Sequence, residues 1–255
     1  MELPEKRIPD QYFLENLSEE QVDGLIAQGI HLVDSALQYQ ELMMMYNCAI
    51  REVRTKLEVL NADLSVRYQR NPIEFISCRL KKPMSLFQKL QNKNLPLSLS
   101  AVESNINDVA GIRVICSFID DIYAVAAMLT EQDDITLLET KDYIKNPKPN
   151  GYRSLHLIVE LPVFFSDQKK NMRVEVQIRT IAMDFWASLE HQLKYKKSVK
   201  DEESIVNELT ECAEDIASID QRMLAIRNKI DENAESPNTE ESLREKLERF
   251  NIPSL

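Results

Sequence analysis

The sequence predicts an α/β (α+β) chain, helical at both ends, with strands and helices mixed between. Two apolar stripes and one pair of strands carry this reading. Tyr46, Ile50, Val53, Leu57, Leu60 and Leu64 alternate steps of four and three, the spacing of one helix face. Ile205, Leu209, Cys212, Ile216, Ile219, Met223, Ile226 and Ile230 repeat that pattern further along. Between the stripes, Tyr152–Val163 and Met172–Thr180 alternate in the period of strands, where successive side chains face opposite ways.

The first helix is predicted over Leu17–Tyr68 and stops at Asn71-Pro72, because the residue before a proline is driven out of helical geometry. Glu74–Leu80 reads as a strand, Met84–Gln91 as a short helix, and Gly111–Phe118 (GIRVICSF) as a second strand. Asp120-Asp121 supplies a cap for a helix over Ile122–Leu129. The two long strands follow, joined by a polar turn at Ser166–Asn171, and helices over Ile181–Lys196 and Glu202–Asp231 complete the order. The organisation expected is a helical extension over 1–70, a core over 71–198, a packing or oligomerisation helix over 199–232 and a mobile tail over 233–255. One short helix is expected in that tail, at Glu240–Phe250. The second apolar stripe fits packing on the sheet and a seam between copies equally well.

With 255 residues, 44% of them hydrophobic, the chain can bury one good core. No apolar run approaches the ~20 residues of a membrane span, and Met1–Asp10 lacks the apolar stretch of a signal peptide. A cytoplasmic protein without membrane partners is expected. Cys48, Cys78, Cys116 and Cys212 form no CxxC pair, so buried free thiols are expected rather than a zinc site or disulfides. The formal charge of −11 argues against a duplex nucleic-acid binder, and RNA binding is not indicated. Against that acidic background Lys141, Lys145, Lys148 and Arg153 form a local basic cluster suited to a small anion. The four glycines build neither GxxxxGK[ST] nor GxGxxG. A nucleotide would therefore be held by side chains rather than by a glycine-rich backbone cradle.

Four constellations are candidates for chemistry. In MRVEVQIRT, Arg173, Glu175, Gln177 and Arg179 share one face; that face is either solvated or the floor of a charged-ligand site. In YRSLHLIV, Tyr152, Ser154 and His156 share a face. Alone, His156 would be a structural histidine; beside Tyr152 and the lysines it becomes a phosphate donor. Asn150-Gly151 forms a turn that frees the Tyr152 ring to stack on a base. Asp108 and Arg113 sit where a loop enters a strand. Asp108 is then a turn cap or a Mg2+ ligand, with Glu175 its natural partner. Arg79 and Lys81 share a face at the end of the first strand, as surface charges or as contacts to base and phosphate.

Together these segments resemble the synthetase domain of the RelA/SpoT family, in its single-domain small alarmone synthetases. The resemblance runs from about Asn71 to Lys196 and rests on Asn71-Pro-Ile-Glu74, Asp108-Val-Ala-Gly-Ile-Arg113, Pro147-Lys-Pro-Asn-Gly-Tyr-Arg-Ser-Leu-His156, Glu175-Val-Gln-Ile-Arg-Thr180 and Ala182-Met-Asp-Phe-Trp-Ala-Ser-Leu-Glu-His191. It implies a mixed sheet flanked by helices, related to nucleotidyltransferases. It implies a GTP pyrophosphokinase that uses ATP and GDP or GTP, releases AMP, makes ppGpp or pppGpp in stringent-response signalling, and forms homotetramers. By the same resemblance Asp108 is a Mg2+ ligand, and Glu175 is the second acidic residue, on the metal and at the 3′-hydroxyl. Tyr152 stacks on guanine, and Arg79 and Arg113 sandwich adenine. Lys81, Lys148 and His156 hold phosphates, Gln177 and Arg179 line the acceptor side, and Asp184 contacts the guanine or orients its neighbours. The three histidines form no His-Asp pair, so the hydrolase domain of the long family members is not expected. Two rivals stand beside this reading: a nucleotidyltransferase, which would release pyrophosphate instead of AMP, and a catalytically silent nucleotide- or RNA-binding regulator.

Overall fold

The computed structural model describes residues 19–68, 70–195 and 202–233. The expected tail, its helix at Glu240–Phe250 and the polar N-terminus lie outside the described residues. In chain order the elements are α1 (Glu19–Tyr68), β1 (Ile73–Leu80), α2 (Pro83–Asn92), α3 (Leu99–Asn105), β2 (Ala110–Cys116) and α4 (Ile119–Thr130), followed by β3 (Thr136–Asp142), β4 (Leu155–Phe164), β5 (Lys169–Thr180), α5 (Ile181–Tyr195) and α6 (Glu202–Asn233). The five strands form one mixed sheet in the order β1-β2-β5-β4-β3. Only the β2–β5 pair is parallel; the others are antiparallel. The α+β architecture of the sequence reading is thus present.

Alternation along β5 decides how the sheet sits. Val174, Val176 and Ile178 are fully buried in one cluster with Leu157 and Val159 of β4 and Val114 of β2. Leu42, Tyr46, Ile50, Val53 and Leu57 of α1 cover that face, joined by Ile122, Val125 and Leu129 of α4. Each such side chain contributes about 1.5–3 kcal/mol on burial. The first apolar stripe is therefore largely used inside the chain. The odd-numbered residues of β5 are left on the opposite, polar face.

The C-terminal stripe behaves differently. Ala213 and Asp220 are the buried residues of α6, whereas Ile219, Met223, Ile226 and Ile230 are about half exposed or more. The four–three pattern in this part of the helix lies on its open side.

Several boundaries differ from the sequence reading. β4 starts at Leu155, not Tyr152, because Gly151 has φ +83° and the segment 149–154 turns instead of extending. The α4 helix begins at Ile119 with Phe118 as N-cap; Asp121 is its third residue and accepts the Phe118 N–H at 3.2 Å, rather than capping from outside. Lys169–Asn171 pair with Phe164–Pro162, so the hairpin turn is tighter than predicted and closes through Phe165 N–H to Gln168 O at 2.8 Å. Two elements were not predicted. α3 is capped by Ser98, whose Oγ accepts the Ala101 N–H at 3.1 Å. β3 is an edge strand, exposed along almost its whole length, so it shows no burial alternation. Of the four free thiols only Cys116 is buried; Cys78 and Cys212 are exposed, correcting the expectation for those two. Among the described residues no helix is long and apolar enough to cross a membrane.

Candidate active site

β5 lies at the centre of the sheet, and its register assembles the site. Gln177 is opposite Arg113 on β2 and His156 on β4, so three polar side chains stand in a row on the face away from α1. Glu175 stands one pair further along, opposite Gly111. Gly111 is itself opposite Arg79 of β1. A Cβ at Gly111 would lie 3.3 Å from Arg79 Nε. The missing side chain is what lets the Arg79 guanidinium approach β2 so closely.

A hydrogen-bonded chain links the residues of this face. His156 Nδ1 is 3.3 Å from Glu175 Oε1, and Gln177 Nε2 donates to Glu175 Oε2 at 2.9 Å. His156 Nε2 meets the Tyr152 hydroxyl at 2.8 Å. That hydroxyl also accepts from Arg179 Nη2. The Glu175 carboxylate can only accept, so His156 Nδ1 carries a proton toward it. In that neutral tautomer Nε2 is left to accept from the Tyr152 hydroxyl. Arg179 Nε donates to Ser154 Oγ at 3.3 Å, Nη2 to Gln177 Oε1 at 3.2 Å, and Nη1 to Asp184 Oδ1 at 3.0 Å. Asp184 Oδ1 also pairs with Arg113 Nη1 at 3.3 Å, tying the first turn of α5 to two arginines.

The electrostatics follow from these partners. Burial alone would raise the Glu175 carboxyl, but His156 and Gln177 outweigh it and hold it below its ordinary value, with Asp108 acting in opposition. Burial also raises Asp108; the hydrogen bonds and charges of Lys81 and Lys89 more than reverse this. Lys81 Nζ lies 2.6 Å and Lys89 Nζ 2.7 Å from Asp108 Oδ2, while buried Oδ1 has no hydrogen-bond partner among the described residues. Burial and the nearby Arg179 charge push the Arg113 guanidinium down, opposed by Asp184.

Two adjoining clefts open on this face. The larger, about 590 Å³, is lined by Arg79, Arg113, Lys148, Asn150, Tyr152, His156, Gln177 and Arg179, and by Ala187, Ser188, Glu190, His191 and Gln192 of α5. The smaller, about 160 Å³, shares Arg79, Arg113 and Gln177 with it and adds Ser77, Cys78, Gly111 and Ile112. Lys148 Nζ lies 4.7 Å from the Tyr152 ring centre and 4.6 Å from that of Tyr143. Arg79, Arg113, Lys148, Tyr152, His156, Glu175, Gln177, Arg179 and Asp184 are thus brought together. Lys81 and Asp108 form a pair of their own, coupled to the rest through the charge of Glu175.

The basic cluster of the sequence reading is not one patch. Lys141 pairs with Glu139 at 3.1 Å and Lys145 with Asp142 at 3.7 Å, while Arg153 turns away to the carbonyls of Gly151 and Ala213. Only Lys148 of the four lines the cleft. Arg173 is likewise engaged elsewhere, with Glu160 at 3.2 Å and Asn107 at 3.1 Å. Lys89 and the α5 wall were missed. For the wall a signal existed: Asp184, Ser188 and His191 recur at helical spacing on one face.

Among the described residues no group of three or more His, Cys, Asp or Glu is placed to hold a metal. Mg2+ needs less: one or two carboxylates, with phosphate and water oxygens completing the shell. Asp108, with its unpartnered Oδ1, and Glu175 fit that requirement.

The segment 78–200 matches the family described as "Region found in RelA / SpoT proteins". Among curated relatives, the chain is 41% identical to the GTP pyrophosphokinase YwaC of Bacillus subtilis over 189 residues, 74% of this chain and 90% of YwaC. It is 36% identical to GTP pyrophosphokinase YjbM of the same organism over 195 residues, 76% of this chain and 91% of YjbM. Among solved structures it is similar to small alarmone synthetase 1 of B. subtilis bound to its product pppGpp, with a TM-score of 0.70 and 36% identity over 76% of this chain and 98% of that one. Small alarmone synthetase 2 of B. subtilis gives 0.68 and 40% over 75% and 98%.

Proposed function

The chain belongs to the RelA/SpoT family and is a GTP pyrophosphokinase of the small alarmone synthetase kind; from that premise we propose how its cleft makes ppGpp and pppGpp. The 3′-hydroxyl oxygen of GDP or GTP attacks the β-phosphorus of ATP. A new O–P bond forms, the bond from that phosphorus to the α-bridging oxygen breaks, and AMP leaves with that oxygen. Glu175 takes the hydroxyl proton. The observation that carries this role is the pairing of both Glu175 oxygens, to His156 and Gln177, which keeps the carboxylate ionised directly behind two residues that line the cleft.

Tyr152 stacks on the guanine, and Gln177 and Arg179 line the acceptor side. Arg79 and Arg113, which border both clefts, take the adenine between them. Lys148 and His156 hold phosphates, and Lys81, which with Lys89 pairs with Asp108, turns onto the donor phosphates. Asp184 orients Arg113 and Arg179. Asp108 and Glu175 would hold Mg2+, which supplies charge neutralisation and alignment for in-line transfer. The exposed apolar residues Ile219, Met223, Ile226 and Ile230 on α6, and Ile30, Val33 and Leu37 on α1, support a homotetramer. Its substrates are nucleotides free in the cytoplasm, which supports that location.

The test is product identity. Protein, Mg2+, ATP and GDP are incubated and the nucleotides resolved by anion exchange. AMP and ppGpp in equal amounts are expected; pyrophosphate release with a nucleotidylated product would overturn the assignment in favour of nucleotidyl transfer.

A further inference from the structure

The α6 helix makes a set of contacts that the reaction scheme does not use. Gly151 has φ +83°, and a Cβ there would lie 2.5 Å from Ala213 Cβ and 3.4 Å from Thr210 Cα. The loop and the helix therefore meet at a distance only glycine allows. Arg153 Nη1 donates to Gly151 O and to Ala213 O, each at 3.1 Å. Tyr152 is held between these two anchored neighbours. Trp186 of α5 donates from Nε1 to Leu209 O at 2.9 Å.

A second connection runs through a buried carboxylate. The Thr180 hydroxyl, at the end of β5, donates to Asp220 Oδ2 at 2.6 Å and accepts the Met183 N–H at 3.1 Å. A hydroxyl has one proton, so committing it to Asp220 leaves a lone pair aimed at Met183. The cap of α5 is thereby fixed, and the first turn of α5 carries Asp184, on which Arg113 and Arg179 both depend. Thr180 is fully buried and Asp220 is 5% exposed, and burial pushes the Asp220 carboxyl above its ordinary value. A carboxylate kept here at that cost has a positional use. Among the described residues no hydrogen bond runs from α6 to β1 or Asp108.

We propose that α6 is a positioning element of the nucleotide cleft, with Ala213 setting the Tyr152 loop and Asp220 setting the arginine-binding turn of α5. The proposal rests on the reading that Tyr152 binds the acceptor guanine. The two residues have different signatures. Ala213→Leu pushes the loop at Gly151 and displaces Tyr152; a displacement on the scale of 1 Å raises KM for GDP at least ~10-fold, leaving KM for ATP within about twofold. Asp220→Ala frees the α5 cap and raises both KM values, because Asp184 serves both arginines. Asp220→Asn retains an oxygen that accepts from Thr180 and restores both.

The experiment is initial-rate kinetics of the full chain with each nucleotide varied in turn, on the parent and all three variants, with thermal melts recorded beside them. A purely structural role lowers the active fraction, and so kcat, without moving either KM. If Ala213→Leu and Asp220→Ala change kcat and melting temperature alone, the proposal is overturned. It is also overturned if Ala213→Leu raises KM for ATP as much as for GDP. Should Ala213→Leu fail to fold, the Asp220→Ala and Asp220→Asn pair decides. If the parent chain makes no ppGpp, the pyrophosphokinase reading itself has failed, a result distinct from failure of this inference.

Discussion

Replacing Tyr152 by phenylalanine and by alanine separates what its hydroxyl does from what its ring does. Phenylalanine keeps the ring, and with it the cation–π contacts of Lys148 and Arg179. It removes the hydroxyl contacts to Arg179 and His156. At about 0.5–1.5 kcal/mol each, these come to roughly 1–3 kcal/mol of stability. Arg179 keeps Asp184, Ser154 and Gln177, and His156 keeps Glu175, so the pocket stays assembled. Alanine removes the stacking surface as well. Base–aromatic stacking contributes about 1–3 kcal/mol, so KM for GDP rises roughly 5- to 150-fold. The assay varies GDP at saturating ATP, then ATP at saturating GDP. The expected pattern is a lowered melting temperature with a KM for GDP close to the parent's in Tyr152→Phe, and a large rise in that KM alone in Tyr152→Ala. If Tyr152→Phe raises KM for GDP as much as Tyr152→Ala, or if the rise falls on ATP, stacking on guanine is refuted.

Three further outcomes follow from the same geometry. Asp184→Ala leaves Arg113 and Arg179 without their shared carboxylate, and is expected to raise both KM values while Asp184→Asn retains partial affinity, measured in the same kinetics. Leu57→Ala opens a cavity at a fully buried position between α1 and the sheet and is expected to cost about 2–5 kcal/mol in urea unfolding without altering either KM. Asp108 and Glu175 both titrate below their ordinary values of 3.8 and 4.5 when folded. Their contribution is complete above those values and is lost as pH falls through the lower, folded ones, because the unfolded chain then binds more protons. Unfolding free energy is expected to decline on acidification below about pH 4.5, and Asp108→Asn is expected to flatten that decline.

The parts of the fold legible in the sequence were those with a regular boundary between apolar and polar environments. The α1 stripe and the alternation of β5 each have one buried and one open face, and both were found. β3 lies at the edge of the sheet, almost wholly exposed, and offers no such contrast. The start of β4 was misplaced because Tyr152 and Ser154 continue the alternation although Gly151 has already turned the chain. Within the site, residues on β5 could be grouped by parity alone. Grouping Arg113, Gln177 and His156 needs the strand register, which lies in pairings distant along the chain. Lys89 sits on a different element from its partner Asp108 and outside every recognisable motif, so only the folded chain shows the pair. The basic cluster failed for the converse reason: residues close in sequence were separated by β3 and by the turn toward α6.

The central claim is that Glu175 acts in the chemical step rather than in holding nucleotides. The direct measurement is single-turnover ppGpp formation by Glu175→Gln, with GDP affinity determined on the same sample by calorimetry. Glutamine keeps one oxygen to accept from His156 and gives up the Gln177 contact, whose amide N–H2 it can no longer accept from; GDP is expected to bind within a few-fold of the parent while the transfer rate falls at least ~100-fold. A transfer rate near the parent's, with GDP affinity lost, would contradict the account and make Glu175 a binding residue only.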